Sequence, residues 1–285
     1  MLLKVGSLQY GVIFKKAFSD LEIFKSVIDD FFGTDIQIEK VETEKTFDPP
    51  VGNVDCRFDL YAEDSVNRII LDIQHVRHFD HYHRFLHYHC AAILDQIKSS
   101  SDYFPVQKVF TLVVLTSGDK YKNDIGVIDF DPKTIDGKPF GEIFHKVIYV
   151  CPKYVNEQTP EPYRQWMIAI NDSLDEEVDE TQYDRPVIKK IFHQIKRDDI
   201  TPKERAKMID EYSFGLLEKA AKEKGLNEGR KEGKKEGRKE GRKEGIDFVV
   251  KKMISAKQLS IKQISEITGI QIHEIENLSL DQDSA

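Results

Sequence analysis

The chain has few cysteines and no long apolar segment, and both scarcities limit the class of protein it can be. Its three cysteines, Cys56, Cys90 and Cys151, are odd in number and widely spaced, which favours free thiols in a reducing compartment over a disulfide framework. No run of about 18 apolar residues occurs, so we expect no transmembrane helix. Residues 1–6 lack the apolar stretch of a secretory signal. We therefore expect a cytoplasmic protein with no membrane partner.

Net positive charge is concentrated in one segment, and the rest of the chain is acidic overall. The net charge is −8, yet residues 229–245 hold eight Lys or Arg and four Glu, a net of +4, so the remainder carries −12. Affinity for nucleic acid comes largely from neutralised phosphates, so this acidic body argues against strong nonspecific DNA binding. It does not exclude a nuclease, because bound metal ions bring positive charge into such a site.

Two acidic residues, Asp59 and Asp72, are placed opposite each other by the sequence pattern. Residues 57–61 and 68–74 alternate as half-buried strands do, and the polar segment 63–67 between them favours a turn. In a hairpin symmetric about its centre, Asp59 lies opposite Asp72, where side chains stand roughly 4.5–5.5 Å apart and like charges are destabilising. The pair therefore predicts a bound cation. Gln74 shares the face of Asp72, two residues along the strand.

This constellation resembles the motif of the PD-(D/E)XK nucleases, whose core strands carry Asp, then Asp or Glu, one spacer and Lys. Asp59 matches the first carboxylate, Asp72 the second, and Gln74 takes the lysine position. Glutamine there narrows the resemblance to the PD-(D/E)XK nuclease family transposases, also called recombination-promoting nucleases. The second carboxylate is Asp where Glu is more usual, which makes it one methylene shorter.

Other segments carry the same resemblance, which covers residues 7–116 well and 117–224 loosely. The sequence Phe-Lys at residues 14–15 is similar to the N-terminal signature of the family, and Arg84 and Tyr88 match its Arg-x-x-x-Tyr helix. Gly11 stands where members often carry an acidic residue. The Glu-Gly repeats of the tail are similar only in style.

The resemblance implies a restriction-endonuclease-like αβββαβ core with a helical C-terminal extension, within the α/β class. It implies a Mg²⁺-dependent DNA endonuclease, with a homodimer expected for cutting both strands. The residues expected to bind the DNA substrate are Lys15, Lys16, Arg84 and Tyr88. A second hypothesis is a catalytically weak or inactive nuclease fold that binds nucleic acid or serves assembly, which Gly11 and the acidic body favour.

The expected chemistry is that of a hard divalent cation. Mg²⁺ or Mn²⁺ prefers oxygen ligands, which Asp59, Asp72 and the carbonyl of Ile73 would supply. The metal would activate a water and stabilise the charge that develops on the scissile phosphate. Gln74 cannot act as a base, but its amide can orient the attacking water. The alternative is that both carboxylates face solvent on an exposed sheet.

The remaining candidates have simpler alternatives. Arg84 and Tyr88 share a helix face, and either Arg84 contacts a phosphate or site carboxylate, or it pairs with Asp80 while Tyr88 lies in the core. Lys15 and Lys16 would otherwise be solvated helix lysines. A separate hypothesis concerns zinc, because three residues near Arg84 have a suitable spacing for it, although surface histidines are the alternative. These three are His83, His87 and Cys90.

The periodicity predicts a helix over 9–32, strands over 36–44, 109–116 and 144–150, a further helix over 80–100, a loop over 117–142, and mostly helix over 160–224. We divide the chain into a nuclease-like core (1–150), a helical extension (151–224), a repeat linker (225–245) and a small helical tail (246–285).

The linker has glycine at every fourth position, and each glycine costs a helix about 1 kcal/mol against alanine. This pattern predicts a solvated, partly helical spacer, with a self-association stripe and a phosphate-binding arm as alternatives. Residues 258–278 predict two short helices with Ser260 as a cap. They form either a structural hairpin or a helix-turn-helix that reads DNA.

Overall fold

The computed structural model describes residues 2–47, 56–75, 81–97, 106–256 and 258–283. The strands are β1 (Leu2–Lys4), β2 (Glu42–Thr46), β3 (Arg57–Glu63), β4 (Asn67–Gln74), β5 (Lys108–Leu115), β6 (Ile125–Asp129), β7 (Lys146–Val150) and β8 (Glu177–Asp179). The helices are α1 (Gly11–Phe18), α2 (Leu21–Phe32), α3 (His81–Leu94), α4 (Tyr163–Ser173), α5 (Pro186–Gln194), α6 (Pro202–Ala256), α7 (Ile261–Thr268) and α8 (Ile272–Asp283).

A mixed six-stranded sheet lies at the centre, in the order β2-β3-β4-β5-β7-β6. The middle strands β4, β5 and β7 are parallel, and the flanking pairs are antiparallel. The parallel strands are nearly continuous apolar runs because helices cover both of their faces. β1 and β8 form a separate two-stranded sheet.

Two hydrophobic cores lie on the two faces of the central sheet. Alternate residues of β4 divide between them: Ile69 and Leu71 belong to the core with α1, α2, α4 and α5, and Ile70 belongs to the core with α3. This division follows from the side-chain period of two in a strand. The fold is therefore a mixed α/β architecture in which α1 and α3 approach the same strands from opposite faces.

The predicted hairpin is confirmed. β3 pairs with β4 antiparallel, with Leu60 opposite Leu71 and Tyr61 opposite Ile70, which is the register that symmetry about residues 65 and 66 requires. The strands predicted over 109–116 and 144–150 are confirmed as β5 and β7. The helix predicted over 80–100 is confirmed as α3 over a shorter range.

The single helix predicted over 9–32 is wrong, because the chain forms α1 and α2 instead. Asp20 caps α2, and its carboxylate accepts hydrogen bonds from the backbone N–H groups of Glu22 and Ile23. An Asp at such a position stabilises a helix start, and the hydrophobic spacing on both sides hides this break. Gly33, in a left-handed conformation with φ 61°, ends α2 as predicted.

Two other predicted segments are also corrected. The strand predicted over 36–44 lies at Glu42–Thr46, and Ile36 and Ile38 are buried outside any strand. The loop predicted over 117–142 contains β6, which pairs antiparallel with β7. β6 is a short strand at the sheet edge whose residues are only partly buried, so its alternation is too weak a signal against its turn-rich surroundings.

The chain divides into two compact units, Met1–Gly215 and Leu216–Ala285. The finer division at residues 150, 224 and 245 stays a prediction. In the second unit the glycine repeat is helical throughout as part of α6, and its residues are exposed. The segment is therefore solvated, as predicted, but helical throughout rather than in part. Glu232, Glu236 and Glu240 each have a Lys three positions later, and such pairs stabilise a helix.

The two short helices predicted in the tail are confirmed as α7 and α8. Ser260 caps α7 in a capping box with Gln263, which satisfies two backbone donors reciprocally. A small apolar core formed by Val250, Ile264 and Ile275 joins these helices to the end of α6.

The structure bears on the predictions of free cysteines and of no transmembrane helix. Cys56, Cys90 and Cys151 all fall within the described ranges and form no disulfide. Every helix in the described part of the chain is too short or too polar to cross a bilayer.

His89 is a buried titratable group where α3 packs on the sheet. Its ring is fully buried, lies 2.8 Å from the hydroxyl of Thr111 through Nδ1, and stacks on Phe130. Burial lowers the pKa of His89 to about 3, and the nearby His145 adds to the effect. The fold therefore holds this histidine neutral.

This burial predicts a pH-dependent stability. The unfolded chain protonates His89 near its ordinary pKa of about 6.5, so below that pH the wild type loses about 1.4 kcal/mol per pH unit from this group. His89→Asn keeps a polar group near the Nδ1 position but cannot titrate. We expect the stability difference between wild type and His89→Asn to shrink from pH 7.5 to pH 5 in urea denaturation. The exposed His83, changed to Asn, is the control, and a constant difference for His89→Asn would contradict the prediction.

Candidate active site

The structure brings Asp59 and Asp72 together through reciprocal hydrogen bonds. The backbone N–H of Asp59 donates to Oδ1 of Asp72 at 2.8 Å, and the backbone N–H of Ile73 donates to Oδ2 of Asp59 at 3.1 Å. Each carboxylate is thus oriented by the strand that carries the other. The opposed geometry that the hairpin predicts is present.

Asp72 is the more buried of the two carboxylates. It is only 3% exposed, and its Oδ2 accepts no hydrogen bond from the described part of the chain. Burial raises the pKa of Asp72 well above its ordinary value, and the charge of Asp59 raises it further. The Asp59 N–H, Arg84 and Lys15 oppose this rise. A buried carboxylate oxygen without a partner is costly, and a cation in this place would remove that cost.

Lys15 brings a positive charge from α1 to the same place. Its Nζ lies 2.6 Å from Oε1 of Glu44 and 3.4 Å from Oδ1 of Asp59. α1 reaches this position because it packs on β3 and β4 through its buried face, which includes Phe14 and Phe18. The lysine of the predicted Phe-Lys signature therefore lies among Glu44, Asp59 and Asp72, which we call the acidic cluster.

Glu44 is a site residue that the sequence pattern does not reveal. Thr43 pairs with Leu60 and Lys45 with Phe58, so Glu44 lies level with Asp59 on the neighbouring strand. Its backbone is left-handed, with φ 57°, which is uncommon for a residue other than glycine. An acidic residue level with Asp59 on the neighbouring strand would have been the signal in the sequence. The strand predicted over 36–44 ended at Glu44, so its pairing with β3 was not predicted.

Gln74, Arg84 and Tyr88 form a second group beside the carboxylates. Arg84 donates through Nη1 to Oε1 of Gln74 at 3.3 Å, and its Nε donates to the hydroxyl of Tyr88 at 3.4 Å. The guanidinium also lies 5.3 Å from the centre of the Tyr88 ring, within the range of a cation–π contact. Tyr88 is otherwise buried against Phe58. Asp80, the alternative partner of Arg84, lies outside the described residues.

Lys16 is the predicted site residue that the structure places with other partners. Its Nζ donates to the carbonyl of Asp199 at 2.6 Å and to the carboxylate of Glu204 at 3.1 Å. Successive residues of a helix point about 100° apart, so Lys15 and Lys16 meet different neighbours. Lys16 ties α1 to the start of α6.

Glu211, in α6, is a second residue near the site that the sequence does not reveal. The backbone N–H of Gly11, at the start of α1, donates to its Oε2 at 2.8 Å. No local motif surrounds Glu211, and 200 residues separate the two partners, so the contact depends entirely on tertiary packing.

The zinc hypothesis is not supported. Within the described ranges, no three His, Cys, Asp or Glu side chains are arranged to hold a metal ion. His83, His87 and Cys90 therefore do not form the zinc site considered above, and both histidines are exposed on α3. The Asp59 and Asp72 pair is a two-carboxylate arrangement.

The site has two opposed carboxylates on adjacent strands and a lysine from the first helix beside them, within a mixed sheet covered by helices. This arrangement is consistent with a nuclease of the PD-(D/E)XK type. The comparison with protein families makes this specific. The chain belongs to the PD-(D/E)XK nuclease family transposases, because the model of that family matches residues 11–215. The predicted family is confirmed. No curated protein and no solved structure matched the chain.

The burial of Asp72 predicts that its charge destabilises the metal-free protein. In Asp72→Asn, the amide oxygen can still accept from the Asp59 N–H, and the NH₂ group takes the place of Oδ2. We expect the free energy of unfolding at pH 7, measured by urea denaturation in EDTA, to rise by about 1–3 kcal/mol. Asp210→Asn, at an exposed position of α6, should change it by less than about 0.5 kcal/mol.

The pH dependence of this effect has a definite sign. The folded-state pKa of Asp72 is raised, so its unfavourable charge is present above that pKa and is removed by protonation as the pH falls. The advantage of Asp72→Asn should therefore shrink from pH 8 towards pH 4. A variant less stable than the wild type at pH 7 would mean that the carboxylate is satisfied as it stands.

Proposed function

We propose that this protein is a metal-dependent DNA endonuclease of the recombination-promoting, transposase-like type. Membership of the family indicates nuclease chemistry with DNA as the substrate. The observation that carries the proposal is Oδ2 of Asp72, a buried carboxylate oxygen without a hydrogen-bond partner in the described chain. The other oxygen of the same carboxylate, Oδ1, accepts from the backbone N–H of Asp59 on the neighbouring strand. An oxygen placed as Oδ2 is suited to a cation.

The residues present fit Mg²⁺ or Mn²⁺. Asp59, Asp72 and the carbonyl of Ile73 would hold the ion, because hard divalent cations prefer oxygen ligands. When bound, the ion would acidify a water and stabilise negative charge at the phosphate.

The chain's own residues then position the reactants. Gln74 is neutral, so it would form hydrogen bonds with a water but would not supply a charge or act as a base. Arg84 donates a hydrogen bond to Oε1 of Gln74. Arg84 offers a guanidinium, whose planar donors suit a phosphate, and the Tyr88 ring supports it. Lys15 adds positive charge beside the carboxylates, where it pairs with Glu44 and Asp59. Lys16 is engaged with Asp199 and Glu204, so either lysine would have to exchange its partners to bind the DNA backbone.

We assign the αβββαβ core to the run from α1 through β5, in which helices, three strands, a helix and a strand follow in that order. Residues 151–224 would be its helical extension. A homodimer would allow one site to cut each strand of a duplex.

A second candidate is a nuclease fold with little or no activity that binds nucleic acid or serves assembly. The ion pairs of Lys15 with Glu44 and Asp59 favour it, because the protein itself then supplies a cation for the cluster. In that case the tight lysine contacts stabilise the fold and leave less negative charge for a metal.

A plasmid assay separates the two candidates. The wild type should convert supercoiled plasmid to nicked or linear DNA when Mg²⁺ is present and not when EDTA is present. Asp72→Asn and Asp59→Asn should abolish the cleavage because each removes one carboxylate, whereas Asp210→Asn should cleave as the wild type does. Binding of the plasmid, measured by gel shift, should persist in all four proteins.

Plasmid binding without cleavage, at an affinity unchanged by Asp72→Asn, would overturn the nuclease proposal and support the second candidate. Cleavage that persists in both aspartate variants would place the chemistry at another site.

A further inference from the structure

The start of α1 leaves space for a side chain next to the acidic cluster. α1 begins at Gly11, its first turn contains no acidic residue, and the side chain of Tyr10 does not cap it. A Cβ atom added at Gly11 would lie 3.7 and 3.9 Å from the carboxylate oxygens of Glu211 and 3.8 Å from Nζ of Lys15. The Glu211 carboxylate and the Lys15 ammonium thus border the same space.

Glu211 is held in this place by the helix start. Oε2 accepts from the Gly11 N–H at 2.8 Å, and the Val12 N–H also contributes a hydrogen bond. The free N–H groups and the dipole of a helix N-terminus favour a carboxylate. α6 therefore supplies the negative charge that the first turn of α1 lacks.

Glu211 is electrostatically linked to the proposed metal ligands. Partial burial raises its pKa, and so does the charge of Asp59, whereas the hydrogen bonds from Gly11 and Val12 and the charge of Lys15 lower it. The Lys15 ammonium, which pairs with Glu44 and Asp59, therefore also favours the charged form of Glu211.

The extent of the family region is consistent with a role for Glu211. The matched residues end at 215, shortly after Glu211, and the first compact unit ends at Gly215. The first turns of α6 therefore belong to the nuclease unit, although α6 continues to Ala256.

We propose that Glu211 is a positioning residue of the cation site, delivered by α6 to the space beside Gly11, where it acts with Asp59 and Asp72 on a bound divalent metal. It acts through Lys15, because within the described residues no three acidic side chains converge as direct ligands. The partly unsatisfied Asp72 carboxylate is the independent sign that a cation binds here. This inference rests on the proposed function.

The test is Mn²⁺ affinity, measured on the full chain by electron paramagnetic resonance of the free ion. In Glu211→Gln, the amide oxygen still accepts from the Gly11 N–H, so the cap is kept and only the charge is lost. We expect the Kd for Mn²⁺ to rise about tenfold, as for other residues that support metal ligands. Asp210→Asn removes the same charge one residue away and should leave the Kd unchanged.

A compensating variant separates the effect of the negative charge of Glu211 from the effect of its hydrogen bond to the start of α1. Gly11 has an ordinary backbone conformation, and Glu211→Ala opens the space around it. Glu211→Ala should weaken Mn²⁺ binding at least as much as Glu211→Gln does. Adding Gly11→Glu to it should restore most of the affinity, because a carboxylate again lies beside Lys15.

The outcomes distinguish this inference from the proposed function. If Asp59→Asn and Asp72→Asn lose Mn²⁺ binding while Glu211→Gln stays within twofold of the wild type, Glu211 is only a cap for α1 and the inference fails alone. Failure of Gly11→Glu to restore binding in Glu211→Ala would also overturn it. A wild type with no Mn²⁺ binding that depends on Asp72 would overturn both proposals.

Discussion

The reciprocal hydrogen bonds between β3 and β4 at Asp59 and Asp72 are the constraint on which the site depends. They hold two carboxylates side by side at the centre of the sheet, where one of them is almost completely buried. Two like charges in such a place repel each other and lose hydration. The neighbouring elements are arranged to offset that cost without removing it.

Two surrounding elements contribute to this offset. α1 brings Lys15 against Asp59, and α3 brings Arg84 close enough to lower the pKa of Asp72. β2 adds a further carboxylate, Glu44, which has a left-handed backbone and shares the Lys15 ammonium. α6 adds Glu211 at the start of α1. Oδ2 of Asp72 still has no hydrogen-bond partner in the described part of the chain, which is the reason we propose that the site binds a cation.

The features that the sequence predicts correctly depend on residues that lie close together in the chain. The hairpin register was predictable because it depends on a short turn and on alternation within some 18 residues. The buried strands β5 and β7 were predictable from their apolar runs. The break between α1 and α2 was missed because one capping residue, Asp20, interrupts an otherwise regular hydrophobic spacing. The zinc hypothesis failed because histidine spacing on a helix does not decide whether the side chains converge.

The sequence by itself determined the family, the opposed aspartates and the place of Gln74 beside them, since these depend on residue type, strand period and a local turn. Only the tertiary structure decided which charges surround the pair. Lys15 and Lys16 are adjacent in sequence, yet helix geometry sends one to Asp59 and the other to Glu204. Glu44 and Glu211 join the site from a neighbouring strand and a distant helix. Their positions depend on packing between elements that are far apart in the chain, and no local pattern encodes that.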